Sequence, residues 1–132
     1  RTSIGVDSSR VSLLVAVLDR ICGMHLSSHD IFLNVAGGIR VDEPAVDLGI
    51  VAAMASSFLN RPIYPGTVVF GEVGLTGEVR GIAQMLLRTR EASRMGFTRC
   101  ILPRTLSQEI PDPEGLELCR VGSLGELLEQ LF

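Results

Sequence analysis

Residues 42–62, DEPAVDLGIVAAMASSFLNRP, and residues 70–103, FGEVGLTGEVRGIAQMLLRTREASRMGFTRCILP, decide the fold of this 132-residue chain. Asp42-Glu43-Pro44 is a helix start: carboxylates sit near the positive end of the dipole, and proline in the first turn loses no needed N–H. The run Ala45–Leu59 is apolar on nearly every side and rich in alanine, which predicts a buried helix that other elements can approach closely. Asn60-Arg61-Pro62 ends it. In the second stretch, Val68–Gly71 and Glu78–Arg80 predict two short strands joined by the turn Gly74-Leu75-Thr76-Gly77. A helix over 83–95 follows, closed by Gly96. Arg99–Leu102 then reads as a short buried strand before Pro103.

Working outward, Ser8–Met24 carries apolar residues at 11, 14, 15, 18, 21 and 22, the spacing of a helix, with Asp7 or Ser8 as its N-cap. Asp30–Ala36 alternates β-favouring types and predicts a strand stopped by Gly37-Gly38. Towards the end, Leu116–Val121 predicts a last strand and Ser123–Leu131 a last helix. The whole chain, 1–132, therefore reads as a single α+β domain, helices packed on one mixed sheet.

Composition narrows the chemistry. All twelve basic residues are arginine. A guanidinium keeps its proton at any working pH and cannot act as a general base. A Ser–Lys dyad, a Schiff base and a P-loop lysine are thereby excluded from this sequence. The net charge of −3 gives no global attraction to nucleic acid, so any basic surface must be local. Cys22, Cys100 and Cys119 are odd in number and widely spaced; buried small side chains in a reducing compartment are the expectation. The hydrophobic share of 46% exceeds what one small core needs, which suggests an interface with neighbouring copies. No apolar run approaches the roughly 18–20 residues that span a bilayer, so no membrane partner is expected and the cytoplasm is the expected location. The start on Arg1 suggests a fragment of something longer.

The two opening stretches resemble the proteolytic domain of Lon. There, a Pro-Ser-Ala-Gly motif opens a long apolar helix, and a Thr-Gly-Glu hairpin, a Gly-Leu-Lys-Glu-Lys helix and a strand ending in Ile-Pro follow. The patterns align from Pro44 to Pro103 without a gap. In that alignment Ala45 stands at the nucleophilic serine, Arg88 at the catalytic lysine and Phe70 at the threonine that supports it. A serine nucleophile needs an oxygen and a neutral base beside it; Ala45 and Arg88 supply neither. The resemblance thus implies no catalytic residue, and an active Lon-type serine peptidase is the disfavoured alternative.

The altered pattern resembles the RadA (Sms) family of bacterial DNA-repair proteins, in their C-terminal part. The likeness rests on Asp7-Ser8-Ser9-Arg10, on Leu13–Leu18, on Asp30–Gly38 (DIFLNVAGG) and on Gly71–Arg80 (GEVGLTGEVR), and covers roughly 6–131. It implies the fold of domain 2 of ribosomal protein S5, shared with Lon. It further implies a parent protein with a four-cysteine zinc finger and a RecA-like ATPase, using ATP, magnesium and zinc, and acting in recombinational repair as a hexameric branch-migration motor. The upstream parts are absent from this sequence: it has no Cys-x-x-Cys and no G-x-x-x-x-G-K-[ST]. What remains is a non-catalytic scaffold, with itself and, weakly or through the parent, DNA as partners. No cofactor or metal is expected in the domain itself.

His25 and His29 stand at i and i+4 but have no carboxylate or cysteine in pattern, so solvated loop histidines are preferred to a metal pair. Gly71, Gly74, Gly77 and Gly81 fit turns better than a phosphate loop, because a strand rather than a helix follows. Arg80, Arg88, Arg90, Arg94 and Arg99 read as a solvated face, a phosphate-contacting patch or bridges to a next subunit. Asp47, two residues past the lost serine, is expected either simply to favour the helix start or to pair with Arg88.

Overall fold

The computed structural model describes residues 1–105 and 109–132. The chain runs β1 (Thr2–Ile4), α1 (Ser8–Cys22), β2 (Phe32–Asn34), α2 (Asp47–Leu59), β3 (Thr67–Val69), β4 (Glu72–Val73), β5 (Val79–Arg80), α3 (Met85–Arg94), β6 (Arg99–Pro103), β7 (Glu117–Val121) and α4 (Leu124–Leu131). The expected α+β layering is present. Its strands are grouped as a parallel pair β1-β2, a parallel three-stranded sheet β3-β6-β7, and an antiparallel hairpin β4-β5.

Local chemistry sets the helix ends. Asp7 caps α1, its carboxylate accepting from the Ser9 N–H at 3.2 Å, and Gly23 closes it in the left-handed region. Pro44–Val46 forms one 3₁₀ turn, so regular α2 begins at Asp47 rather than Ala45. Asn60 ends α2 at φ 52, a conformation asparagine tolerates better than most residues. Ser123 caps α4 by accepting from the Glu126 N–H.

Two strand assignments need correcting. Thr67–Val69 is no arm of the hairpin: it pairs in parallel with Arg99–Ile101, and the hairpin is Glu72–Val73 against Val79–Arg80. Four mostly apolar residues cannot reveal which partner they will find, and here the buried apolar strand β6 outcompetes the near neighbour. The second correction is β1, which the sequence reading missed. It is three residues long and pairs with β2, itself shorter than 30–36.

The core is built where α1, α2 and α4 meet the sheet. Leu14, Leu18, Leu48, Val51, Ile101, Val121, Leu124 and Leu127 are fully enclosed there. A second cluster packs under α3 and contains Met85, Ala92, Cys100, Leu102, Ile110 and Leu116. Burial pushes the Cys100 thiol up to about 12, and it raises Cys119 and Cys22 as well. All three cysteines are free. No described helix is long and apolar enough to cross a membrane.

Candidate functional site

Ala45, Phe70 and Arg88, scattered over more than forty residues, are brought to one region by α2, the β3–β4 connection and α3. The carbonyl of Ala45 accepts from the Gly71 N–H at 3.0 Å, and the Gly71 carbonyl accepts from the Leu48 N–H at 3.0 Å. These two bonds clamp the connection after Phe70 onto the start of α2. Phe70 is held from the other side, its N–H donating to the Ile101 carbonyl at 3.0 Å.

Arg88 lies in the second turn of α3. Its Nε donates to the Ala83 carbonyl at 2.9 Å, its Nη2 pairs with the Glu43 carboxylate, and its guanidinium stands 6.0 Å from the centroid of the Phe70 ring. Glu43 is two residues before Ala45, so the ion pair ties α3 to the start of α2. An open groove of about 740 Å³ lies here, lined mainly by Val68, Phe70, Leu87, Met95 and Phe97 with Glu43 and Arg88 at its rim. Among the described residues, none lining it carries a hydroxyl, thiol or primary amine. Ala45 is buried beside it and does not line it. The groove can hold apolar groups, and its charged lining is Glu43, Glu91 and Arg88.

Asp47 does not pair with Arg88. It is fully buried, accepts from Arg10 at Nε (2.8 Å) and at Nη2, and accepts from the Val73 N–H at 3.1 Å. Arg10, on α1, faces the buried start of α2, whereas Arg88 is taken by Glu43, the carboxylate nearer to it. The Arg10 guanidinium is held above its ordinary value by its hydrogen bond to Asp47. Neither Arg10 nor Glu43 carries a local signal, since each partner lies 37 or 45 positions away.

The proposed arginine patch is not one free surface. Arg80 is paired with Glu78 at 3.3 Å, Arg94 with Glu91 at 3.3 Å, and Arg88 with Glu43. Arg90 is exposed and, among the described residues, has no carboxylate within ion-pair distance. Arg99 donates to the Gln130 backbone carbonyl and side chain and lies 5.4 Å from the Tyr64 ring centroid. His25 and His29 are exposed on either side of the 3₁₀ turn Leu26–Ser28, and His29 stacks edge-on against Phe58. Among the described residues no three metal-binding side chains converge. Gly74 and Gly77 serve the hairpin: a Cβ at Gly74 would overlap the Glu78 carboxylate at 2.1 Å, and Gly77 sits at φ 80.

The family model described as subunit ChlI of Mg-chelatase matches residues 1–106. The DNA repair protein RadA of Streptococcus pyogenes serotype M6 is 42% identical over 132 residues, all of this chain and 29% of that protein. RadA of Halalkalibacterium halodurans is 46% identical over 129 residues, and RadA of Bacillus subtilis 44% over 128, 28% of either protein. The chain thus spans under a third of the length of the relatives it matches. Both likenesses agree with the Lon-like pattern of the two opening stretches, and the chain belongs to the family described as subunit ChlI of Mg-chelatase, in the form that resembles the C-terminal domain of RadA.

Proposed function

We propose that this domain is a non-catalytic, Lon-like scaffold of a RadA-type protein that acts in DNA repair. The relatives' name supports the repair role. The finer reading is that the domain holds DNA-dependent ATPase modules in a homo-oligomeric ring, hexameric by resemblance, during recombination and branch migration. ATP, magnesium and zinc would be bound by the upstream modules of such a protein, in the cytoplasm. DNA contact by this domain would be weak and would fall first to Arg90, the one of Arg80, Arg88, Arg90 and Arg94 with no ion-pair partner among the described residues.

One observation carries the scaffold reading. Arg88, which the resemblance aligns with the Lon lysine, is paired with Glu43 and stands over Phe70. That arrangement fastens α3 to the segment before α2, a structural task, and supports a reading without a Ser–Lys dyad. Exposed apolar side chains such as Leu87 on α3 and Met95 just after it, both lining the groove, fit a domain that meets other subunits.

Light scattering over a range of protein and salt concentrations tests the reading. A ring-sized species supports it; a strict monomer at high concentration overturns assembly by this domain. Hydrolysis of casein or a fluorogenic peptide above background would overturn the non-catalytic part.

A further inference from the structure

A second cleft, of about 490 Å³, opens between β2 and the C-terminal half of α2, away from the Glu43–Arg88 groove. Three ring side chains reach it from three elements: His29 after the 3₁₀ turn, Phe32 on β2 and Phe58 on α2. His29 and Phe58 meet edge to face, with centroids 5.3 Å apart and planes at 87°. Phe32 is 79% exposed, the most open of the large apolar side chains among the described residues. An aromatic ring that free of cover on β2 has found no partner within its own fold.

Charge narrows the occupant. Asp30 also lines the cleft, is exposed, and forms no ion pair among the described residues. No arginine lines it, although the chain has twelve. Asn34 and Ser57 add neutral acceptors at the rim. An anion would meet the Asp30 carboxylate and the negative faces of the rings, so phosphates and carboxylates are disfavoured. A cation gains from both: the ring faces attract it, and the carboxylate accepts its N–H groups. Guanidinium fits better than ammonium, because it is planar, weakly hydrated and able to stack while donating sideways.

We propose that this cleft binds an arginine side chain presented by a partner polypeptide, stacked against Phe32 and Phe58 and hydrogen-bonded to Asp30. The source is a chain rather than free arginine, because no arginine lines the cleft to meet the α-carboxylate of the free amino acid. The proposal does not depend on the scaffold reading: it concerns a different face and a contact that a monomer can make.

The test is a titration of this chain, followed by NMR of backbone amides, with N-acetyl-arginine methylamide. The lysine and norleucine analogues and free L-arginine serve as comparisons. Saturable shifts confined to residues 29–34 and 53–58 are expected, with arginine binding about threefold or more tighter than lysine and norleucine weaker than both. Phe32→Leu should weaken arginine binding about threefold, and Asp30→Asn should flatten its salt dependence. Both side chains are exposed, so these variants keep the fold. Absence of saturable shifts, or equal binding of the norleucine analogue, would overturn the proposal. So would tighter binding of free L-arginine, which would put a small metabolite in the cleft.

Discussion

Arg10 and Asp47 form a two-point ion pair at the buried start of α2, and the Val73 N–H completes the carboxylate's partners. Three elements are joined through one carboxylate: α1 by Arg10, α2 by Asp47 itself, and the β4-β5 hairpin by Val73. Removing one partner leaves the other buried without compensation, which typically costs 3–5 kcal/mol. Arg10 retains about a third of its side-chain surface in water (32%), whereas Asp47 retains 1%. Arg10→Ala is therefore expected to lower unfolding stability by about 3 kcal/mol. The joint replacement Arg10→Met with Asp47→Leu should cost less than Arg10→Ala alone. Urea unfolding followed by circular dichroism decides it; a double variant as unstable as the single one would show that the pair itself, and not the stranded charge, sets the stability.

Rebuilding the dyad by side-chain identity alone should not rebuild the enzyme. In Ala45→Ser with Arg88→Lys, the new amine would stand beside Glu43 and above Phe70. A carboxylate at that distance keeps an amine protonated, and the supporting threonine is absent. Peptidase activity of the double variant is expected to stay at background in a fluorogenic-peptide assay. Measurable turnover would mean that the cleft retains a working geometry that Glu43 and Phe70 do not block.

Glu78 supplies a pH dependence to the hairpin. Its carboxylate accepts from the Thr76 hydroxyl at 2.8 Å and the Thr76 N–H at 3.1 Å, and pairs with Arg80. These bonds, led by that of the Thr76 hydroxyl, hold it down at about 2 from an ordinary 4.5. Because the folded value lies below the unfolded one, the stabilisation is complete above about 4.5 and is lost as pH falls through about 2. Glu78→Gln should remove that part of the acid dependence. A carbon-detected NMR titration of the Glu78 carboxyl checks the value, and a midpoint near 4.5 would mean that the turn is open in solution.

Thiol reactivity should follow burial. Cys22, half-buried at the end of α1, is expected to react first with a chromogenic disulfide reagent. Cys100, fully enclosed and with its thiol at about 12, should react only on unfolding. Three thiols titrating at one rate in the native protein would contradict the packing around β6.

The arginine cleft predicts a local effect distinct from all of these. Phe32→Leu should leave unfolding stability within about 0.5 kcal/mol, as surface changes usually do, while weakening binding of the blocked arginine. A large loss of stability would place Phe32 in the core instead.

Much of the architecture was legible because it rests on local rules. The nearly all-apolar run 45–59 marked a largely buried helix, Gly96 and Asn60 sit where helices stop, and the glycines of 74–77 mark a hairpin. The lack of lysine excluded a Ser–Lys dyad before any geometry was known, since arginine cannot surrender its proton. What the sequence alone left open were relations between distant positions. Thr67–Val69 could have joined the hairpin, and only the buried strand β6 decided otherwise. For Asp47 the sequence offered Arg88 or a plain helix-start role, and nothing local pointed to Arg10. The choice of Arg10, the capture of Arg88 by Glu43 and the gathering of His29, Phe32, Phe58 and Asp30 along one cleft all depend on how helices and strands pack. Periodicity reports which face of an element is buried, but not which element covers it, and that is set by the summed packing of the whole chain.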